Sequence, residues 1–393
     1  MIGQTWPSEM RETRDGDTGR VIRRLTTEGN NVHLYFTENS FDLNGGAIIF
    51  TSDRASGESR APHESPRYNL FRMNLDSGEI TQLSDEPDGV GSVTKTPDSE
   101  LIVYITGKAV RALNTATGET ITLYEETGNF SLGAPSIAAN RRYVAFCRNE
   151  KVDVPRGPNY SGFKESFYRI KDGRVTLAYL DGSGAHDAWR DTHWLGHFQF
   201  CPTDSTIGSF CHEGPWNLVT QRIWLLDFVG GTVKPCFRQE ERDSIGHEFW
   251  THDGLLFWDN RGPGHDGTIT SDRTQAVVTE TAVNQNEMVP FVGLSDKEGR
   301  VVRQIDMPFY CNHYHANPAN TVLVGDDVDD LVLIDISGQQ AKLDVLVRNH
   351  GTSWHTQSSH CHPTWSWDGS KILYASDRGG RVNLYLVEPE RQA

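Results

Sequence analysis

The sequence predicts an all-β fold, a seven-bladed β-propeller, and three observations lead to this prediction. A unit made of a polar turn and a short apolar run recurs seven times along the 393 residues. The units are spaced by roughly 40 to 65 residues, which fits propeller blades that carry loop insertions. Helical periodicity is nearly absent, and glycine and proline punctuate the whole chain. A pair of β-sandwiches and a ring of six or eight blades are the alternatives.

Each predicted blade contains one apolar run rich in β-branched and aromatic residues, which favour strands. Most runs are followed by a segment of alternating apolar and polar residues, as in a half-buried antiparallel strand. We expect one domain over residues 1–393, with blades that begin near residues 46, 100, 142, 205, 254, 320 and 371. The runs are GAIIFTS (46–52), ELIVYIT (100–106), RYVAFCR (142–148), STIGSFC (205–211), GLLFWDN (254–260), NTVLVGD (320–326) and KILYASD (371–377).

The segment VIRRLTT (21–27) has the character of an outer strand, yet it precedes the first blade. The last blade ends soon after its third strand, VNLYLVE (382–388). We therefore expect residues 21–27 to complete the last blade. This closure would leave no unpaired sheet edge between the two ends of the chain.

Charge and composition argue against several classes of protein. The formal net charge is -16, whereas a nucleic-acid partner favours a basic face. The first twenty residues contain no apolar core, and no apolar stretch approaches the length of a membrane span. The six cysteines form no CxxC pair. We therefore expect a cytoplasmic protein with reduced thiols and with neither a membrane nor a nucleic-acid partner, and the sequence leaves a homo-oligomer open.

Two clusters of histidines stand just ahead of apolar runs, CNHYH (311–315) and QSSHCHP (357–363). Because the innermost strands of a propeller surround its channel, these histidines can converge there. His360 and His362 are two residues apart, which would point both side chains to one face of a strand. With His313 from the neighbouring blade they would form a facial metal site. The alternative is a set of polar channel-lining side chains bonded to water.

The types of ligand limit the metal. Three neutral imidazoles, with the amide oxygen of Gln357 as a further ligand, would leave a divalent ion its full charge. Open coordination positions would then attract an anionic oxygen ligand such as a carboxylate. Mn²⁺ fits this site best, although Zn²⁺, Ni²⁺ or Fe²⁺ could occupy it by affinity alone.

Further candidates for chemistry lie in or near other strands. His247, in GHEFW (246–250), is a candidate general base, because imidazole titrates near neutral pH; the alternative is a histidine that caps a turn. Arg222 lies in an apolar strand, where the residues alone favour an internal salt bridge over a bond to a ligand carboxylate. The weaker candidates, for binding substrate, are His197, His212 and Arg148.

The order of these motifs resembles that of the oligogalacturonate lyases, polysaccharide lyase family 22. The similarity covers most of the chain and is sharpest from about His197 onward. It implies a seven-bladed propeller that degrades short pectic oligosaccharides in the cytoplasm with manganese. The shared motifs are FCHEGP (210–215), Arg222-Ile223-Trp224, HEFW (247–250), His313 with VGD (324–326), HGTSW (350–354), QSSHCHP (357–363) and ILYASDRGG (372–380).

The resemblance also implies roles for individual residues. The catalytic base of the family matches His247, and its catalytic arginine matches Arg222. Two departures concern the sugar pocket: CHEGPWN replaces the CHEGPHD typical of the family, so that Trp216 stands for a histidine, and residues 53–67 are unlike the corresponding segment. The metal ligands of the family, three histidines and a glutamine, match His313, His360, His362 and Gln357.

The reaction expected from this resemblance is β-elimination at a 4-linked uronate. His247 would take the C5 proton, while the metal and Arg222 neutralise the carboxylate. Water and a tyrosine remain open as the group that protonates the leaving oxygen. Rhamnogalacturonan, glucuronate and ulvan fragments are alternative substrates for the same mechanism. A hydrolase with a metal-bound water and a non-catalytic TolB-like binding propeller are the rival classes.

Overall fold

The computed structural model of the protein describes residues 1–57, 60–64, 66–155, 161–216, 218–241, 243–261, 290–327, 329–352 and 359–390. Within these ranges the strands form seven antiparallel sheets of four or five strands, which confirms the predicted seven-bladed propeller. The described helices are a single turn at Pro62–Glu64 and the short α1 (Phe163–Arg169). No described helix is long and apolar enough to span a membrane.

The first three blades are made almost entirely from the first half of the chain. From the channel to the rim, blade 1 consists of β4 (Asn31–His33), β5 (Ala47–Ser52), β6 (Asn69–Asn74), β7 (Ile80–Gln82) and β1 (Thr5–Trp6). Blade 2 consists of β8 (Val93–Lys95), β9 (Leu101–Thr106), β10 (Ala109–Asn114) and β11 (Thr120–Glu125). Blade 3 consists of β12 (Phe130–Ile137), β13 (Tyr143–Glu150), β14 (Gly173–Tyr179) and β15 (Ala185–Asp191).

The other four blades follow in chain order. Blade 4 consists of β16 (Leu195–Cys201), β17 (Asp204–His212), β18 (Ile223–Asp227) and β19 (Thr232–Pro235). Blade 5 consists of β20 (Ile245–Trp250), β21 (Leu256–Asn260), β22 (Phe291–Ser295) and β23 (Val301–Asp306). Blade 6 consists of β24 (Tyr314–Ala316), β25 (Val322–Asp326), β26 (Leu331–Asp335) and β27 (Lys342–Val347). Blade 7 consists of β28 (Thr364–Trp365), β29 (Ile372–Ser376), β30 (Asn383–Val387), β3 (Val21–Arg24) and β2 (Arg11–Arg14).

The apolar runs form the second strand of each blade rather than the strand that lines the channel. The channel strand lies earlier in the chain, so each blade begins before the residue predicted from the runs; blade 1 begins at Asn31 instead of near residue 46. The second strands β5 and β29 are buried along their whole length because blades pack against both of their faces. A channel strand can be as short as the two residues of β28, so it gives no clear apolar signal.

The ring is closed by the N-terminal segment, as predicted from residues 21–27. Strand β3 pairs with β30, with Ile22 opposite Val387, and the backbone N–H of Leu25 continues the ladder by donating to Leu384. Strand β2 adds a further outer strand that the sequence did not predict. The N-terminal and C-terminal parts of the chain therefore share one sheet, so no unpaired strand edge remains where the ring closes.

Over the described part of the chain, the core consists of seven apolar clusters, each between two neighbouring blades. Leu384 and Ile48 belong to the cluster between blades 7 and 1, so packing as well as pairing closes the ring. Phe36, from the loop after β4, packs across the channel into the cluster between blades 5 and 6. The channel is therefore filled in part by side chains.

The two ends of the channel strands carry different chemistry. Their C-terminal ends line a cavity of about 420 Å³ to which all seven blades contribute, with Glu38, Thr94, Trp250 and Trp365 among its walls. Histidines predicted to carry the chemistry lie instead at the start of these strands or in the loops before them. We call this second region the histidine mouth, defined by His197, His247, His313, His360 and His362.

Candidate metal and catalytic site

Two neighbouring channel strands use β-bulges to aim histidines into the mouth. In β16 the pairing register shifts between Gly196 and Gln199, and in β20 it shifts between Ile245 and Glu248. A bulge breaks the alternation of a strand and re-aims a side chain. His197 and His247 lie in these two bulges, and their rings are parallel, with centroids 6.1 Å apart. The backbone N–H of His247 is satisfied by the Asp259 carboxylate instead of the ladder.

His313, His360 and His362 converge as the spacing predicted. Each offers a ring nitrogen, and the three nitrogens lie within 4.8 Å of one another. The ring centroids of His313 and His362 are 4.2 Å apart, and those of His360 and His362 are 5.2 Å apart. The fourth predicted ligand, Gln357, lies outside the described residues.

One detail of this prediction is wrong, since His360 and His362 do not lie on a strand. They occupy the irregular segment before β28, and His362 has a φ of 43°. A non-glycine residue in the left-handed region is strained and persists only where its surroundings hold it. The two rings are brought side by side by this loop conformation rather than by the alternation of a strand.

The three imidazoles fit a divalent ion. Asp326 accepts a hydrogen bond from Nδ1–H of His313 at 2.8 Å and another from its backbone N–H, which leaves Nε2 unprotonated for a metal. Burial, with a smaller effect of His313, lowers the pKa of His360 to about 4. Burial and the neighbouring histidines likewise hold the pKa of His362 well below its usual value. Neutral imidazoles are the form that binds metals.

His247 faces this group and is bound to Arg261. The guanidinium donates from Nη2 to Nδ1 of His247 at 3.1 Å and to the carbonyl of Asn312 at 3.1 Å. Arg261 also lies over the ring of Trp216, 4.0 Å from its centroid. Burial, followed by the charges of His313 and Arg261, holds the pKa of His247 well below its usual value. His247 is therefore a neutral imidazole whose Nδ1 carries the lone pair.

Arg222 lies in a buried cluster with two carboxylates. Its Nη1 is 3.2 Å from Glu213 and its Nε is 3.7 Å from Glu248. His197 joins the cluster through Nδ1, 3.0 Å from Glu248 Oε1. The internal salt bridge that the residues alone favoured for Arg222 is present, and the cluster adjoins His247 through His197.

The two other candidates for binding substrate lie in separate groups. His212 approaches Asp191 at 3.3 Å and stacks on His193 with centroids 4.1 Å apart. Arg148 forms ion pairs within blade 3, at 2.8 Å to Glu126 and 2.9 Å to Asp187. These contacts explain both residues structurally, and a contact of either with substrate stays a prediction.

Several residues of the site received no role from the sequence, although Asp326 lies within one of the shared motifs. Asp326 and Arg261 each end or follow an apolar run, so a polar residue just after a buried strand was the available signal. Phe36 lies within 5.3 Å, between ring centroids, of both His247 and His313. Tyr35 lies 5.8 Å from His197 and 4.9 Å from His362. No local pattern marks these two aromatic residues as neighbours of histidines so distant in the chain.

A β-propeller with three converging histidines and a neutral imidazole at one mouth of its channel has the features of an enzyme rather than of a binding scaffold. The family model described as oligogalacturonate lyase matches residues 2–260. The chain therefore belongs to the oligogalacturonate lyase family, a family of lyases.

Individual relatives match along almost the whole chain. The oligogalacturonide lyase of Pectobacterium atrosepticum is 24% identical over 98% of this chain and 97% of its own length. The oligogalacturonate lyase of Dickeya dadantii is 25% identical over 95% of each. A solved structure of an oligogalacturonate lyase in complex with manganese has a TM-score of 0.82 and 23% identity, and covers 99% of this chain and 98% of that one.

Proposed function

We propose that the protein is a manganese-dependent lyase that cleaves short oligogalacturonates by β-elimination. The observation that carries this proposal is that three imidazoles placed to bind a metal ion lie next to a neutral His247 at one mouth of the channel. Its support is that the chain belongs to the oligogalacturonate lyase family and that a similar solved structure contains manganese.

The metal ligands in this proposal are His313, His360 and His362, with Gln357 as a fourth. A bound divalent ion would supply a positive charge that stabilises the negative charge developing beside the uronate carboxylate. Asp326 orients His313 and keeps its metal-binding nitrogen unprotonated.

His247 is the proposed general base, which takes the proton from C5 of the uronate. Because a guanidinium only donates, its hydrogen bond identifies Nδ1 as the nitrogen with the lone pair. The substrate carboxylate is a stronger acceptor than an imidazole, so it would draw the Arg261 donor away and free Nδ1. Arg261 would then hold the carboxylate while His247 takes the proton.

Arg222 is the second proposed arginine of the reaction. Its charge is fixed at the mouth by Glu213 and Glu248, and it contributes to the low pKa of His247. In this proposal it stabilises the charge that develops on the substrate, through its position beside the base.

The nature of the sugar and the location of the protein are also proposals. Galacturonate is favoured over glucuronate, rhamnogalacturonan or ulvan units because the relatives are named for it. Trp216 departs from the family pattern, yet its ring packs against the guanidinium of Arg261. It therefore belongs to the proposed carboxylate pocket. The cytoplasm is favoured because all six cysteines are free and buried.

Ultraviolet absorbance on a panel of uronate oligomers tests the proposal. Elimination creates an alkene conjugated with the carboxylate, whereas hydrolysis does not. We expect absorbance to rise with oligogalacturonate, to stop after metal is removed by a chelator, and to return with Mn²⁺. Reducing ends formed without a rise in absorbance would indicate a hydrolase, and a rise only with another uronate would replace the substrate.

A further inference from the structure

Beside the proposed base, two buried and two half-buried groups form a charged cluster: Arg222 and Glu248, with His197 and Glu213. Glu213 and Glu248 are two carboxylates, and among the described residues Arg222 lies within ion-pair distance of both. Glu248 is fully buried, and neither of its oxygens has a well-aligned hydrogen bond among the described residues. Since an uncompensated buried charge is strongly unfavourable, a second positive charge would stabilise the two carboxylates. His197, 3.0 Å from Glu248, supplies it when protonated.

The surroundings of the two parallel histidines push them towards opposite protonation states. Burial alone would lower the pKa of His197, but the Glu248 and Glu213 carboxylates raise it above its usual value. His247 has cationic and imidazole neighbours instead, and its pKa is lowered. Two titratable groups separated in this way are the usual mark of an acid and a base that work together.

We propose that His197 is the general acid of the reaction and donates the proton that the leaving oxygen O4 takes up, with Glu248 as the residue that positions it. This inference rests on the proposed β-elimination. Nδ1 of His197 lies 3.0 Å from Glu248, and Nε2 lies farther from a carboxylate, 3.8 Å from Glu213, so the proton proposed for transfer is the one on Nε2. The position of His197 is strained, with a φ of 48°, as expected for a side chain aimed by a bulge.

The step balances in atoms and electrons. His247 takes the C5 proton, the C5–H electron pair forms the C4–C5 double bond, and the C4–O4 bond breaks with its pair on oxygen. His197 gives its Nε2 proton to O4, which becomes the hydroxyl of the departing sugar. After the products leave, His247 loses a proton to water and His197 regains one, so the enzyme returns to its starting state.

Two other roles for these groups are less well supported by the geometry. His197, Cys211 and Glu248 lie close enough to bind a metal ion, but Arg222 places a positive charge at the same point, and burial raises the pKa of the Cys211 thiol well above its usual value. Tyr35 is also near His197 and His362 and is the competing proton donor.

A substrate with a leaving group that needs no proton isolates the acid step. We would compare an oligogalacturonate with a uronide that carries fluoride at C4, measuring the alkene by absorbance and the released fluoride directly. His197→Asn suits this test because asparagine tolerates a positive φ. General acid catalysis contributes about 10²- to 10⁴-fold, so this variant should lose at least ~10²-fold on the oligosaccharide and less than about 10-fold on the fluoride.

Matched variants make each outcome decisive. Glu248→Gln should also lose rate selectively on the oligosaccharide, but by a smaller factor. His247→Gln should lose activity on both substrates. The control His186→Asn, at an exposed residue, should keep its activity on both. Equal loss on both substrates in His197→Asn and in Glu248→Gln, or no loss in either, would overturn the proposal. A selective loss in Tyr35→Phe but not in His197→Asn would assign the acid to Tyr35. A wild-type protein inactive on both substrates would instead refute the proposed β-elimination.

Discussion

At the scale of single residues, the partner of each histidine determines what that histidine can do. A carboxylate accepts from Nδ1–H of His313, burial and a guanidinium lower the pKa of His247, and two carboxylates raise the pKa of His197. The same side chain therefore has three environments within one mouth of the channel. The histidines themselves were predictable from the sequence, but their partners were not, because strand order and bulges decide which distant residues meet.

The metal ligands give the first residue-scale prediction. The double variant His360→Ala/His362→Ala should not retain a divalent ion under conditions where the wild type does, since two of the three described residues proposed as ligands are gone. Asp326→Asn should weaken metal affinity by about 10- to 100-fold, the usual effect of losing the group that orients a ligand. Metal analysis and equilibrium dialysis measure both, with the exposed His186→Ala as control. Equal metal content in the double variant and the wild type would contradict the assignment.

The proposed general base, His247, gives the second residue-scale prediction. His247→Gln keeps an acceptor for Arg261 but cannot take a proton at neutral pH, so turnover should fall by at least ~10²-fold. The bound metal should be unchanged, because His247 is not one of the converging ligands. Activity close to that of the wild type would exclude His247 as the base, and loss of metal would make it a ligand.

At the scale of elements, the channel strands of blades 4 to 7 have the site histidines at or just before their starts and the cavity at their ends. The sequence revealed the second strands because they are apolar on both faces, and it therefore revealed the number of blades. It did not reveal the channel strands, whose two to eight residues include bulges and polar side chains. The placement of His360 and His362 on a regular strand failed for the same reason: a loop holds them.

A half-buried carboxyl group in the wall of the cavity, that of Glu38, gives a prediction at this scale. Burial raises the pKa of Glu38 from 4.5 to about 8, although Thr94 donates to it at 2.8 Å. Between these two pH values the folded protein keeps a proton that the unfolded chain releases, so this group makes stability fall as pH rises. Glu38→Gln removes the titration and should therefore stabilise the protein more at pH about 8 than at pH about 5.

Thermal unfolding of Glu38→Gln at these two pH values measures the effect, with the exposed Glu119→Gln as the matched control. The midpoint difference from the wild type should grow with pH in the first variant and stay constant in the control. A difference that is independent of pH in both would show that Glu38 is ionised in the folded protein.

At the scale of the whole molecule, the ring depends on a short strand from the opposite end of the chain. Ile22 is 7% exposed and packs with blades 6 and 7. Its replacement by alanine should cost about 2–5 kcal/mol, as for buried aliphatic side chains in general. Val229→Ala is the control, because this residue is 81% exposed and such changes stay within about 0.5 kcal/mol. If Ile22→Ala and Val229→Ala had equal unfolding midpoints, β3 would not contribute to the stability of the closed ring.

If this propeller breaks a uronate linkage by elimination, the masses of the reaction products will show it. With trigalacturonate and Mn²⁺, elimination adds no water, so the product masses should sum to the mass of the substrate. One product should be lighter than the corresponding saturated sugar by one water, and no product should form with the double variant His360→Ala/His362→Ala. Products whose masses sum to the substrate plus one water would show hydrolysis and contradict the account.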